Sequence, residues 1–277
     1  MVFYFSATGN TLWAAQLAAK ALGEQLVDVA AALFPKSSQP RQINFQLRPD
    51  ETIGFCFPVH GWRPAPLMRQ FISLMQLADE QGTLLTGAPG GLQQGRHFCW
   101  ALTTAGDDIG ETMERLQQCL DERGLQADSL FSLIMPESYV GLPFMDVDKP
   151  EKEWAKRRTA ELAMQEDILP VLQSRQQGVV NTYKGHWPRV NSRVLGAAFE
   201  RWIVSDKPFR VDPKRCISCG TCADVCPVGD IRGGRNQQPQ WLHTGSCLSC
   251  FACYHHCPVQ AIAYGNRTKG KGQYYYR

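Results

Sequence analysis

The chain reads CISCGTCADVCP at residues 216–227 and CLSCFACYHHCP at residues 247–258. Both stretches follow C-x2-C-x2-C-x3-C-P. Cys216, Cys219, Cys222, Cys226 and Pro227 therefore recur as Cys247, Cys250, Cys253, Cys257 and Pro258 after a shift of 31 residues. The pairs Val228/Val259 and Ile231/Ile262 keep the same shift. Self-similarity at a fixed period means that one structural half is used twice. Disulfides suit small secreted chains, and no secretory leader is read here. Zinc knuckles contribute one C-x2-C pair each, not a triplet with a trailing Cys-Pro.

This spacing resembles that of bacterial two-cluster ferredoxins. There, three thiolates from one tight loop hold an iron–sulfur cube and the fourth cysteine reaches the other cube. The resemblance implies two [4Fe-4S] clusters. Cys216, Cys219, Cys222 and Cys257 would hold the first, and Cys247, Cys250, Cys253 and Cys226 the second. Such crossed ligation ties the halves together, so cluster binding also contributes to folding.

Composition agrees with an ordered protein of one main core and a smaller unit: 277 residues, 44% hydrophobic. No apolar run approaches the length of a membrane span, and a soluble cytoplasmic protein without membrane insertion is expected. Of eleven cysteines, eight serve as ligands in this reading, leaving Cys56, Cys99 and Cys119 as inert packing residues. Residues 206–277 carry ten Lys/Arg against four Asp/Glu, whereas residues 1–205 carry 19 against 22. An oxidised cube with four thiolates is itself anionic, so the basic balance reads as compensation for clusters. No nucleic-acid module is recognised, and a nucleic-acid partner is not expected.

The N-terminal part alternates short apolar strands with helical segments. Strands are expected at Val2–Phe5, Leu26–Val29, Thr52–Val59, Phe98–Thr104 and Leu130–Met135. A helix is expected from Leu12 to Leu22, and further helices over 66–77, after Asp108 to about Arg123, and over 150–172. That order argues for a parallel sheet covered on both faces. Residues 79–97 are Gly-rich and read as a loop. Asn191 is expected to cap a helix whose stripe (Val194, Leu195, Ala198, Phe199, Trp202, Ile203) packs between two domains rather than on a membrane. The tail from Thr268 is expected to lie over a neighbouring surface or fray.

Ser6-Ala7-Thr8-Gly9-Asn10-Thr11 lies between the first strand and the first helix. Loop amides and a helix N-terminus there point donors at an anion, and the hydroxyls of Ser6, Thr8 and Thr11 add more. Gly9 and Asn10 tolerate the turns of such a nest. The loop lacks the Gly-Lys-Ser/Thr of a triphosphate site.

Phe3–Thr11 resembles the flavodoxin fingerprint. Together with the cysteine repeat, the chain resembles the flavodoxin-like/ferredoxin fusion proteins of anaerobic bacteria and archaea. The resemblance implies an α/β flavodoxin-like, doubly wound, five-stranded parallel sheet in strand order 2-1-3-4-5. Flavin mononucleotide (FMN) would sit at the carboxyl ends of its strands. A small α+β bacterial-type ferredoxin domain would follow. The expected boundaries are 1–175 for the first domain, 176–206 for a linker with a packing helix, and 207–277 for the cluster domain and tail. The resemblance adds two flavin loops, one at Pro58, Val59, His60, Gly61 and Trp62, the other at Thr103, Thr104, Ala105 and Gly106. Trp62 is a candidate for stacking on the ring, with Tyr139 or Phe144 nearby. Asp107 and Asp108 are expected to cap the next helix. His60, His255 and His256 read foremost as loop or surface residues.

A flavin exchanges one or two electrons and each cluster one, at roughly −400 mV for clusters of this sort. The leading expectation is therefore an electron carrier between FMN, two clusters and a redox partner protein. Two alternatives stand beside it. One is a flavin-dependent reductase of a small molecule, such as a quinone or nitro compound, fed through the clusters. The other is a cluster module whose first domain has lost flavin.

Overall fold

Apolar runs with no polar alternation become strands buried on both faces, which is the signature of a parallel sheet. The computed structural model describes residues 1–36, 40–87 and 97–276. In chain order the first part comprises β1 (Val2–Tyr4), α1 (Asn10–Leu22), β2 (Leu26–Asp28), α2 (Val29–Leu33), β3 (Asn44–Gln46), β4 (Ile53–Pro58) and α3 (Pro66–Leu74). It continues with β5 (Gln76–Ala78), β6 (Cys99–Ala105), α4 (Thr112–Asp121), β7 (Ser129–Ile134), α5 (Pro150–Leu162) and β8 (Val180–Asn181). The main sheet has the order β2-β1-β4-β6-β7-β8, with every pair parallel. It thus has six strands where five were expected. The sixth, β8, lies in the stretch read as linker; two exposed residues offer no alternation to read. A second, two-stranded parallel sheet pairs β3 with β5.

One face of the main sheet packs Phe3, Phe45, Phe55 and Phe71 ring against ring under α2 and α3. The other packs Val2, Cys56, Trp100 and Leu102 under α1 and the helix over residues 150–174. That helix buries Ala160, Met164, Ile168 and Leu172, four residues apart each time. In a plain α-helix such a row drifts around the axis. A wide, π-type stretch at Ala163–Ile168 holds it over α1. Of the residues read as the loop 79–97, those described form a turn held by Asp79, whose carboxylate accepts from the amides of Gln81 and Thr83. The remainder, 88–96, lies outside the described residues.

A helix spans residues 188–203. It starts at Pro188 after the left-handed Trp187, so Asn191 lies inside the helix and does not cap it. Proline at the first position explains the start, because its missing N–H is one the helix would leave unpaired anyway. The expected stripe is split. Phe199 is buried against Gly61, His60 and Tyr139, but Val194, Leu195 and Trp202 face outward. The helix after β6 begins at Thr112, so Asp107 and Asp108 precede its cap position, Glu111.

The C-terminal part pairs β9 (Phe209–Val211) with β12 (Ile262–Tyr264), and β10 (Ile231–Gly234) with β11 (Gln237–Trp241), both antiparallel. Its core gathers Phe209, Phe251, Ile262 and Tyr264, joined by Val140 from the first part. Val228 and Leu248 belong instead to the core under the first sheet. The two parts therefore share apolar packing.

Gly54 on β4 faces the indole of buried Trp100, and a Cβ there would meet that ring at 2.3 Å. The substitution Gly54→Ala is expected to cost about 1–3 kcal/mol through overpacking, read as a lower urea midpoint for the sheet domain.

Candidate functional site

The strand β1 ends at the loop that begins α1. Ser6 Oγ accepts from the Gly9 amide at 3.1 Å, and Gly9 is left-handed at φ 94. The helix has no side-chain cap, and within the described residues no acceptor meets the amides of Ala7, Thr8, Asn10 and Thr11. Four free donors around one turn are a candidate anion nest. The side chains brace it. Thr11 Oγ1 and Thr104 Oγ1 are 2.7 Å apart, Thr8 Oγ1 donates to Ser138 Oγ at 3.3 Å, and Asn10 Nδ2 donates to the Pro136 carbonyl at 3.0 Å.

A cavity opens here at the carboxyl ends of β1, β4, β6 and β7. The structure brings Ser6, Thr8, Asn10, Thr11, Pro58, Val59, His60, Thr104, Ala105 and Gly106 together around it, from all three expected loops. Four expected residues stand outside its lining. Gly9 turns its open side to Tyr276 in the tail, and Gly61 faces the ring of Phe199. Trp62 packs beside Gly110, with its carbonyl accepting from Ser192 Oγ at 2.8 Å. Thr103 is buried and donates to the Phe57 carbonyl at 2.9 Å. Phe144 is exposed. Tyr139 does line the cavity, with Pro136, Glu137 and Ser138 beside it. Sequence reading missed these three because a lone Glu after a strand carries no motif. The Glu137 carboxylate accepts from the amides of Ser138 and Tyr139 at 2.8 and 2.7 Å, while burial pushes its pKa above the ordinary range.

The cysteines line two separate cavities. Cys216, Cys219, Cys222 and Cys257 surround one, and Cys226, Cys247, Cys250 and Cys253 the other. The backbone repeats with the sequence. Ser218 and Ser249, Gly220 and Phe251, and Gly229 and Gln260 are left-handed pairs 31 residues apart. The Asp230 amide donates to Cys226 Sγ at 3.3 Å, and the Ala261 amide to Cys257 Sγ at 3.2 Å. Donors of this kind stabilise thiolate charge. Among the described residues, no three His, Cys, Asp or Glu side chains close on one point as ligands of a single ion would. Cys56 and Cys99 are buried and Cys119 partly so; burial raises all three thiols, which keeps them inert.

The second cysteine loop is also a wall of the first cavity, through Leu248, Ser249 and Cys250. His60 Nε2 donates to the Leu248 carbonyl at 2.7 Å, which fixes the ring's tautomer, and burial holds the ring neutral. Phe199 lies edge-on to both His60 and Tyr139, at 5.1 and 5.4 Å between ring centres. The first cysteine loop instead meets solvent, with Cys219 exposed and Ile217 61% exposed.

His255 is buried rather than superficial. Its Nε2 donates to the Ser138 carbonyl at 2.6 Å, and its Nδ1 accepts from the Tyr274 amide at 3.1 Å. Burial brings its pKa down to about 4. The tail continues across the anion loop. The Tyr276 amide donates to the Thr8 carbonyl at 2.7 Å, the Tyr274 hydroxyl donates to Asn10 Oδ1 at 2.5 Å, and Arg157 lies 4.3 Å over the Tyr276 ring.

Residues 209–258 match the family described as 4Fe-4S dicluster domain. That match, with the cysteines of this segment, supports an iron–sulfur cluster here. No curated protein and no solved structure matches the chain.

Removing residues 274–277 is expected to loosen the anion loop. Amide exchange at Gly9 and Trp13, whose N–H groups are bonded to Ser6 Oγ and the Gly9 carbonyl, should speed up by about tenfold or more, while the sheet strands stay protected; hydrogen exchange with mass spectrometry checks this.

Proposed function

We propose that this chain is an electron-transfer protein that holds FMN in the cavity at the end of the parallel sheet and a [4Fe-4S] cluster in each four-cysteine cavity. The observation that carries this reading is the shared wall. Leu248, Ser249 and Cys250 border the cavity that the anion loop also borders. Any cofactor held there lies beside the second cysteine set, with no layer of secondary structure between.

The residues suit FMN. The free amides of Ala7, Thr8, Asn10 and Thr11 and the hydroxyls beside them would hold the phosphate, with no cation needed in the loop. The position at the carboxyl ends of the strands fits a ligand site of an open α/β sheet. Counted along the chain, the five main-sheet strands read from sequence stand in the order 2-1-3-4-5, which supports a flavodoxin-like ancestry, with β8 added at the edge. When bound, FMN would supply a centre that takes two electrons and passes them on singly to clusters. The chain's own work is positional. His60, Tyr139 and Phe199 exclude water from the side facing the cysteine loop, and the backbone amides on Cys226 and Cys257 favour the thiolates. The exposed edge at Ile217 and Cys219 is where a redox partner would exchange electrons.

A reductase reading has one observation in its favour. An open cavity of about 500 Å³ adjoins the first, sharing His60, Pro66 and Leu248 with it. Turnover of a quinone or nitro compound by the isolated protein, blocked by filling that cavity, would select this reading.

Two variants test the main proposal. Replacing Thr8 and Thr11 together with Val should weaken flavin retention by about tenfold or more; unchanged affinity removes the phosphate assignment. Cys219→Ala should halve the reduced-cluster spin signal and leave flavin bound. Loss of both signals together would show that the centres are not separately housed.

A further inference from the structure

The helix over residues 188–203 carries an apolar face that nothing among the described residues covers. Ser192, Gly196 and Phe199 turn inward, against Trp62, Gly61 and the aromatic wall of the cavity. Val190, Val194 and Trp202 turn outward, with Trp187 just before the helix. Their exposures are 45, 61, 74 and 76%. The outward residues of the helix are spaced by multiples of four. The wide turns at Asn191–Leu195 and Phe199–Ile203 keep such a row on one side.

Along this segment the exposed charges have one sign, while Asp108, Glu111 and Glu114 of the preceding part lie against its first half. Between Tyr183 and Arg210 every exposed charged side chain is cationic, from Lys184 to Arg210, while the only two carboxylates, Glu200 and Asp206, turn inward. Lys184 and Arg193 are paired with Glu114 and Glu111. Arg189, Arg201 and Lys207 make no ion pair among the described residues. Exposed tryptophans at both ends of an aliphatic row, rimmed by arginine, suit the headgroup layer of an anionic bilayer. A second copy suits the face less well. A twofold contact would bring Arg189 of one copy against Arg201 of the other if the helices ran antiparallel, and each arginine against its own counterpart if they ran parallel. Among the described residues no helix is long and apolar enough to cross a membrane, so the contact would lie in the plane of the surface.

We propose that this helix is a membrane-surface contact, which docks the protein on bilayers rich in anionic lipid through Trp187, Val190, Val194 and Trp202, with Arg189 and Arg201 at the headgroups. Because Phe199 of the same helix packs on His60 and Tyr139, docking would bring the cavity close to the bilayer.

The test is co-sedimentation of the intact, cofactor-loaded protein with vesicles of phosphatidylcholine alone or with one-third phosphatidylglycerol. Binding to the anionic vesicles, weakened by salt, is expected. The variant Val194→Asp/Trp202→Asp should lose at least about tenfold in affinity, and Arg189→Glu/Arg201→Glu about tenfold. Both changes sit on exposed side chains, so unchanged thermal midpoint and cluster absorbance should accompany them. Absence of binding to anionic vesicles overturns the proposal. So does a dimer in sedimentation velocity that Val194→Asp/Trp202→Asp dissolves, which would assign the face to a second copy.

Discussion

The arrangement rests on the closure of the second cysteine loop onto the end of the parallel sheet. His60 reaches out from the end of β4 to the Leu248 carbonyl, and Val228 and Leu248 complete the core beneath. The cysteines of the C-terminal part follow the same arrangement. Cys257 returns to the loop of Cys216–Cys222, and Cys226 joins Cys247–Cys253. The order of the chain then gives the molecule two ends. One is the cavity at the anion loop, and the other is the exposed lip at Ile217 and Cys219.

Two further devices hold this geometry. The tail returns from the C-terminal part to the anion loop, so the far end of the chain closes over its beginning. Phe199 inserts from the helix over residues 188–203 between His60 and Tyr139. Each carries aromatic surface into a place where polar backbone would otherwise meet water.

Legibility in the sequence followed the strength of the local signal. The cysteine spacing and its 31-residue repeat divided eight cysteines into two expected groups of four, and the structure lines one cavity with each group. The Ser6–Thr11 loop was readable because a strand, a turn and a helix follow in immediate order. Ten of the fourteen residues expected around the cavity line it. The misses have a common cause, which is that they are tertiary. Trp62 was attractive for stacking as an aromatic on the right loop, but its left-handed backbone and Ser192 hold it elsewhere. Glu137, Phe199 and the tail tyrosines come from segments without motif or strong periodicity. The wide turns of the helix over residues 188–203 moved half its apolar stripe to the surface, which an ordinary helical period does not foretell.

Iron, sulfide and flavin, quantified together in a single anaerobic preparation of the intact chain, test the central claim most directly. The account predicts about eight irons, about eight sulfides and one FMN per chain. A preparation with full iron but no flavin, or with zinc in place of iron, would contradict it.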